Sequence, residues 1–194
     1  MISYSRRTDL HIHELCYESK SLRFFKALNC AIHFLSLLPS KRNRETNTFL
    51  TLLNPDELKL FEAQNAFDKR HSFRNVKKLH VLLNAPDPDI IIACGLHDVG
   101  KVQSGFGIFG RVLATCVATI AGLHRVDAWT RNNPNSITHR IATYVQHPEI
   151  GAGLLSEARS NLIAVTWARD HHKRLEESAL EPSLFIILSK ADRA

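Results

Sequence analysis

Asp87-Pro88-Asp89-Ile90-Ile91-Ile92-Ala93-Cys94-Gly95-Leu96-His97-Asp98-Val99-Gly100-Lys101 is the run that decides how this chain folds. Asp87 is a helix-capping residue, Pro88 suits the first helical position, and Asp89 complements the positive end of a helix dipole. The apolar residues that follow lack the alternation of a strand, so they read as a helix of roughly ten residues. That helix delivers His97 and Asp98 near its C-terminal end, with Gly100 as its terminator. Burying an imidazole beside a carboxylate is costly unless something compensates both, and a divalent metal does so. The plain alternative is a histidine cap on the helix end. Asp98 argues against it, because an acid there opposes the dipole.

The rest of the chain has the same helical character. Asn54-Pro55-Asp56-Glu57 repeats the order of cap, first-turn proline and acid. From Lys69 to Leu83, Phe73, Val76, Leu79, Leu82 and Leu83 form an apolar stripe, and His71 falls about 20° from Leu82, able to point into the core. Ile108, Val112, Leu113, Cys116, Val117, Ile120 and Leu123 predict one longer amphipathic helix. Further helices are expected over Pro148 to Ala158, Asn161 to His171 and Ser183 to Asp192, and a loop over Asp127 to Ser136. No strand pattern or internal repeat is visible. The expectation is all-α: a bundle of roughly six or seven helices over residues 46–194. Residues 1–45 then form a basic N-terminal extension, partly helical from about Ser19 to Leu38.

Composition narrows the function. With 194 residues the chain suits one domain, and its eleven histidines are the compositional outlier. The net charge of +6 is concentrated early, at Arg6, Arg7, Lys20, Arg23, Lys26, Lys41, Arg42 and Arg44, and suits anionic partners such as phosphates or nucleotides. No nucleic-acid-binding motif accompanies it, so nucleic acid is a distant reading. Cys16, Cys30, Cys94 and Cys116 are scattered without a Cys-x-x-Cys pair, which argues against a thiolate zinc site and fits a reducing cytoplasm. Cys94 and Cys116 read as core residues. The run Phe24 to Leu38 is broken by Lys26, Asn29 and His33, too short and polar for a membrane span and too late for a signal peptide.

His71, then His97-Asp98, then Asp192 gives the order H…HD…D, and it resembles the HD-domain metal-dependent phosphohydrolases. Arg70-His71-Ser72, Leu96-His97-Asp98-Val99-Gly100-Lys101 and Ala191-Asp192-Arg193 are similar to that superfamily's three motif contexts. His147-Pro148-Glu149-Ile150-Gly151 and His171-His172 are similar to elements of the HD-GYP branch. Lys173-Arg174-Leu175 stands where that branch carries an acid and the G-Y-P segment. Phe67 stands where it carries an acid one turn before the first histidine, with Asp68 one position off.

The resemblance implies an HD-type bundle that holds one or two divalent metals (Mn, Fe, Co, Ni or Zn, with Mg possible) and hydrolyses a nucleotide, cyclic nucleotide or other phosphoester. One metal would take His71, His97, Asp98 and Asp192; a second would share Asp98 and take His147, His171 and His172. Two such metals activate a hydroxide and hold the phosphoester oxygens in line. Lys101 would meet a phosphate oxygen or leaving group, or else form a structural ion pair. Side chains at 171 and 172 diverge by about 100° on a helix, so one can coordinate while His172 meets substrate. His147 as a helix N-cap and His124 as a second-metal ligand are the competing placements. His33 and His80 read as ordinary surface or core histidines. Gly105-x-Gly107-x-x-Gly110 has dinucleotide-motif spacing but no preceding strand, and reads as a loop near the metal mouth. A non-catalytic regulatory module of the same fold is the rival to the enzyme.

Overall fold

The computed structural model describes residues 44–193. Ten α-helices and no strand occur among them: α1 Arg44–Leu52, α2 Pro55–Ala63, α3 Ala66–Leu82, α4 Pro88–Leu96, α5 Ile108–Ala121, α6 Leu123–Ala128, α7 Ile137–Val145, α8 His147–Glu157, α9 Leu162–Asp170 and α10 Pro182–Asp192. Short 3₁₀ turns lie at Val99–Ser104, Trp129–Arg131 and Leu175–Glu177. The all-α expectation holds. The N-terminal extension, with His33, Cys16, Cys30 and the 24–38 run, lies outside the described residues, except that Arg44 and Glu45 open α1. No single helix among the described residues is long and apolar enough to cross a membrane.

Local chemistry sets the helix starts. Asn54 accepts hydrogen bonds from the amides of Asp56 and Glu57, and its own backbone amide donates in return to the Glu57 carboxylate. Asp87 accepts from the Asp89 amide directly before Pro88. These caps satisfy amides that have no partner inside the helix.

The centre of the molecule is α4. It is apolar nearly all round, and Ile91, Ile92, Ala93, Cys94 and Leu96 are buried against α3 and α9. Phe49 from α1, Phe61 from α2, Trp167 from α9 and Phe185 from α10 complete this core. Gly95 admits the Phe49 ring, since a Cβ there would fall 2.4 Å from it. A smaller second core joins Phe106, Ala114, Ala118, Val126, Ile141 and Ala142.

Five expectations are corrected. Gly100 does not end α4; it lies inside the 3₁₀ turn, and a Cβ on it would meet the His147 carbonyl oxygen at 2.1 Å and the Gly151 amide at 2.6 Å. Its role is to let the turn touch α8. The helix over 108–123 is broken at Gly122, whose φ of +83° suits only glycine. Much of the stripe assigned to its core side faces outward, with Ile120 87% and Leu113 55% exposed, while Val117 packs against the second core. The buried face is instead Arg111, Ala114 and Ala118, because α5 approaches α7 through small residues, and Cys116 is only half-buried. On α3 the inward stripe runs through Ser72, Asn75, Val76 and Leu79, leaving Leu82 exposed and His71 partly exposed. The loop over 127–136 is partly helical, since α6 runs to Ala128 and a 3₁₀ turn follows.

Candidate metal centre

Five helices present His71, His97, Asp98, His147, His171 and Asp192 to one another. His71 comes from the side of α3. His97 and Asp98 follow α4, His147 opens α8, His171 follows α9, and Asp192 closes α10. Asp98 is central and buried. Its Oδ2 lies 3.6 Å from Nε2 of His71 and of His97, and its Oδ1 lies 3.6 Å from Nε2 of His147 and 3.5 Å from that of His171. Asp192 Oδ1 sits 3.0 Å from Nε2 of both His71 and His97. Two donor sets therefore meet at Asp98. His71, His97 and Asp98 form one, and His147, His171 and His172 the other, with the donor atoms of each within 4.8 Å of one another.

The ring orientations are fixed from behind. His97 Nδ1 lies 3.0 Å from the Cys94 carbonyl, His147 Nδ1 2.7 Å from that of Tyr144, and His171 Nδ1 2.8 Å from that of Ala168. A carbonyl only accepts, so each Nδ1 carries its hydrogen and each Nε2 points inward, the tautomer that a metal-binding imidazole needs. Nε2 of His147 and His171 and Oδ1 of Asp98 are all buried without a hydrogen-bond partner. Buried polar atoms are rarely left so. For His147, a bare nitrogen lone pair faces a carboxylate oxygen across a gap too long for a hydrogen bond. A cation in that gap resolves the repulsion.

Charge follows the same geometry. Burial opposes ionisation of Asp98, but Lys101 and His97 outweigh it and hold the carboxyl well below the usual range. Burial likewise opposes ionisation of Asp192, and His97 and His71 more than offset it. Burial also opposes a charge on His97, yet Asp98 and Asp192 raise its pKa to about 9. Burial dominates at His147 and lowers it to about 4, so this imidazole is neutral.

Lys101 pairs with Asp98 Oδ2 at 2.5 Å, the ion-pair alternative, while it also lines a cavity beside the site. His147 is the first residue of α8 and its ring is buried; Gln146 takes the N-cap position. His172 is exposed, at the rim of its triad. His124 is exposed on α6, and His80 is half-buried near the end of α3; neither joins these donor sets. Gly105, at φ +60°, ends the 3₁₀ turn, and Gly107 begins α5.

Three contributors carry no motif. Asn75, fully buried, places its amide nitrogen 3.1 Å from His71 Nε2 and donates to Asp192 at 3.2 Å. Its position four residues after His71 was the available signal. The Tyr144 ring stacks on His147 with centroids 5.6 Å apart. Trp167 packs against His97 and His171. No protein-family model, curated protein or solved structure matches the chain.

Proposed function

We propose that this protein is a metal-dependent phosphohydrolase or phosphodiesterase of the HD type, acting on a nucleotide, cyclic nucleotide or other phosphoester. The observation that carries the reading is the set of orphaned inward atoms on Asp98, His147 and His171. Side chains that converge in this way with nothing between them fit a cation better than they fit a folded core. The spacing of His71, His97-Asp98 and Asp192 supports the HD resemblance, and the imidazole-rich donor set favours Mn, Fe, Co, Ni or Zn over Mg.

His71, His97, Asp98 and Asp192 would hold one metal, and His147, His171 and His172 a second that shares Asp98. Metals held there supply Lewis acidity to a phosphoryl oxygen and lower the pKa of a nearby water. The chain's own residues do the rest. Asp98, with its two oxygens turned to different donor sets, fixes their separation. Lys101 sets a cation next to Asp98, where charge on a transferring phosphoryl group can be met. His172, exposed at the rim, is placed to touch substrate, and Trp167 keeps water from the back of two ligands. A cytoplasmic location belongs to the same reading and rests on the scattered cysteines.

The test is hydrolysis of bis(p-nitrophenyl) phosphate by the full chain with Mn²⁺, alongside metal analysis. Asp98→Ala should lose both metal and turnover; full retention of both would sink the proposal. Stable metal without hydrolysis of any phosphoester in a broad panel would instead favour a regulatory module of the same fold.

A further inference from the structure

The cavity beside Lys101 has a volume of about 250 Å³; Lys101, Arg111 and Asn65 contribute to its polar lining, and Val102, Phe106, Gly107 and Ala63 line it elsewhere. We infer that it binds a second oxyanion of the substrate, separate from the phosphoryl group at the metal centre, with an apolar portion of the ligand against Phe106 and Val102. As a substrate subsite this rests on the proposed function; as an anion site it does not.

A lysine offers three N–H groups and an arginine five. Lys101 spends one on Asp98, while Arg111 spends three, on the Phe106 carbonyl and on both oxygens of Asp68. Each therefore keeps two N–H groups without an acceptor, and Arg111 is only 7% exposed. Donors left over at the wall of a cavity can serve an acceptor that enters it. The same wall holds the start of α5, a helix of 14 residues whose N-cap, Gly107, offers no capping side chain to the first-turn amides. Its positive end adds to the two cations.

Charge balance gives the site its condition. Arg111 is matched by Asp68 and Lys101 by Asp98. Whatever takes over the charge of Asp98 leaves the Lys101 ammonium uncompensated at the cavity wall. A substrate with one oxyanion uses only the centre, whereas a phosphoester bearing a second phosphoryl or carboxylate group uses both. The preferred class is the latter.

The experiment uses inorganic sulfate as probe on the full chain stripped of metal with EDTA, read by titration calorimetry and by the thermal midpoint. Asp98→Asn frees Lys101 and should bind sulfate about tenfold tighter than the parent chain. Gly107→Leu fills the cavity: φ is −73° and a Cβ there meets no atom within 4 Å, so the backbone accepts it. In either background it should weaken sulfate by about tenfold or more. Ala63→Leu, at the exposed rim, fills the same space from the opposite side and decides the matter if Gly107→Leu does not fold. Sulfate binding untouched by both fillings, or not tightened by Asp98→Asn, overturns the proposal and assigns the anion to the basic surface. Because no metal is present and no turnover is read, failure here leaves the phosphohydrolase reading standing, and failure of that reading leaves this site standing.

Discussion

Filling the His71, His97, Asp98 and Asp192 donor set with a metal should expel a proton from His97. With no cation between them, Asp98 and Asp192 hold this imidazole protonated, with a pKa of about 9. A ligating imidazole must give up that proton. At about pH 7 the displacement costs about 2.7 kcal/mol, two pH units at about 1.36 kcal/mol each, which lowers the apparent metal affinity about 100-fold. The sign follows from the raised pKa: the proton competes below about pH 9, so affinity climbs about tenfold per pH unit and levels off above that value. Between about pH 7.5 and 8.5 ordinary histidines are already neutral. His147, at about 4, adds no slope, and Asp98 and Asp192 stay ionised. Zn²⁺ titrations against a competing chelator across that window should give about one proton released for the ion that takes the His97 set, checked by calorimetry in two buffers of different ionisation enthalpy. His97→Gln should flatten the slope. Affinity that does not change with pH, or a slope retained in His97→Gln, would refute the reasoning.

Gly100→Ala should push the 3₁₀ turn away from α8, because the new methyl overlaps the His147 carbonyl; a loss of about 1–3 kcal/mol by urea unfolding and weaker metal binding are expected. The buried pair of Asp68 and Arg111 gives a double-mutant cycle. Arg111→Met alone should cost about 3–5 kcal/mol by leaving Asp68 uncompensated, and adding Asp68→Leu should restore part of it. At Asp170 burial favours the neutral acid, but Lys173, the Ala179 amide and Ser178 hold the pKa below the usual value. Its stabilising contribution is therefore complete above about pH 4 and fades as pH falls through the lowered value, so Asp170→Asn should flatten the acid limb of a stability–pH curve.

Much of this fold was legible because its punctuation is local. Asn54-Pro55 and Asp87-Pro88 open α2 and α4 as their residue types require. The α5 stripe misled because that helix carries apolar residues on two faces, and periodicity cannot say which face finds a partner. The histidines were legible as chemistry but not as geometry. The Pro148 and Gly151 context favoured His147 over His124 as a ligand, but nothing local to either says how far its ring lies from Asp98. Gly100 was misread because its reason lies on α8, in contact across a gap of sequence. Asn75 and the Asp68–Arg111 pair escaped for the same cause: their partners are distant along the chain, and neither belongs to a motif.

Metal stoichiometry in the full chain is the most direct test of the claim that Asp98 joins two donor sets. After loading with Mn²⁺ or Zn²⁺ and removal of free ion, mass spectrometry should find two ions per chain. His71→Ala and His147→Ala should each lose one, and Asp98→Ala should lose both. A chain that binds no ion, or an Asp98→Ala variant that keeps the full complement, would contradict the account.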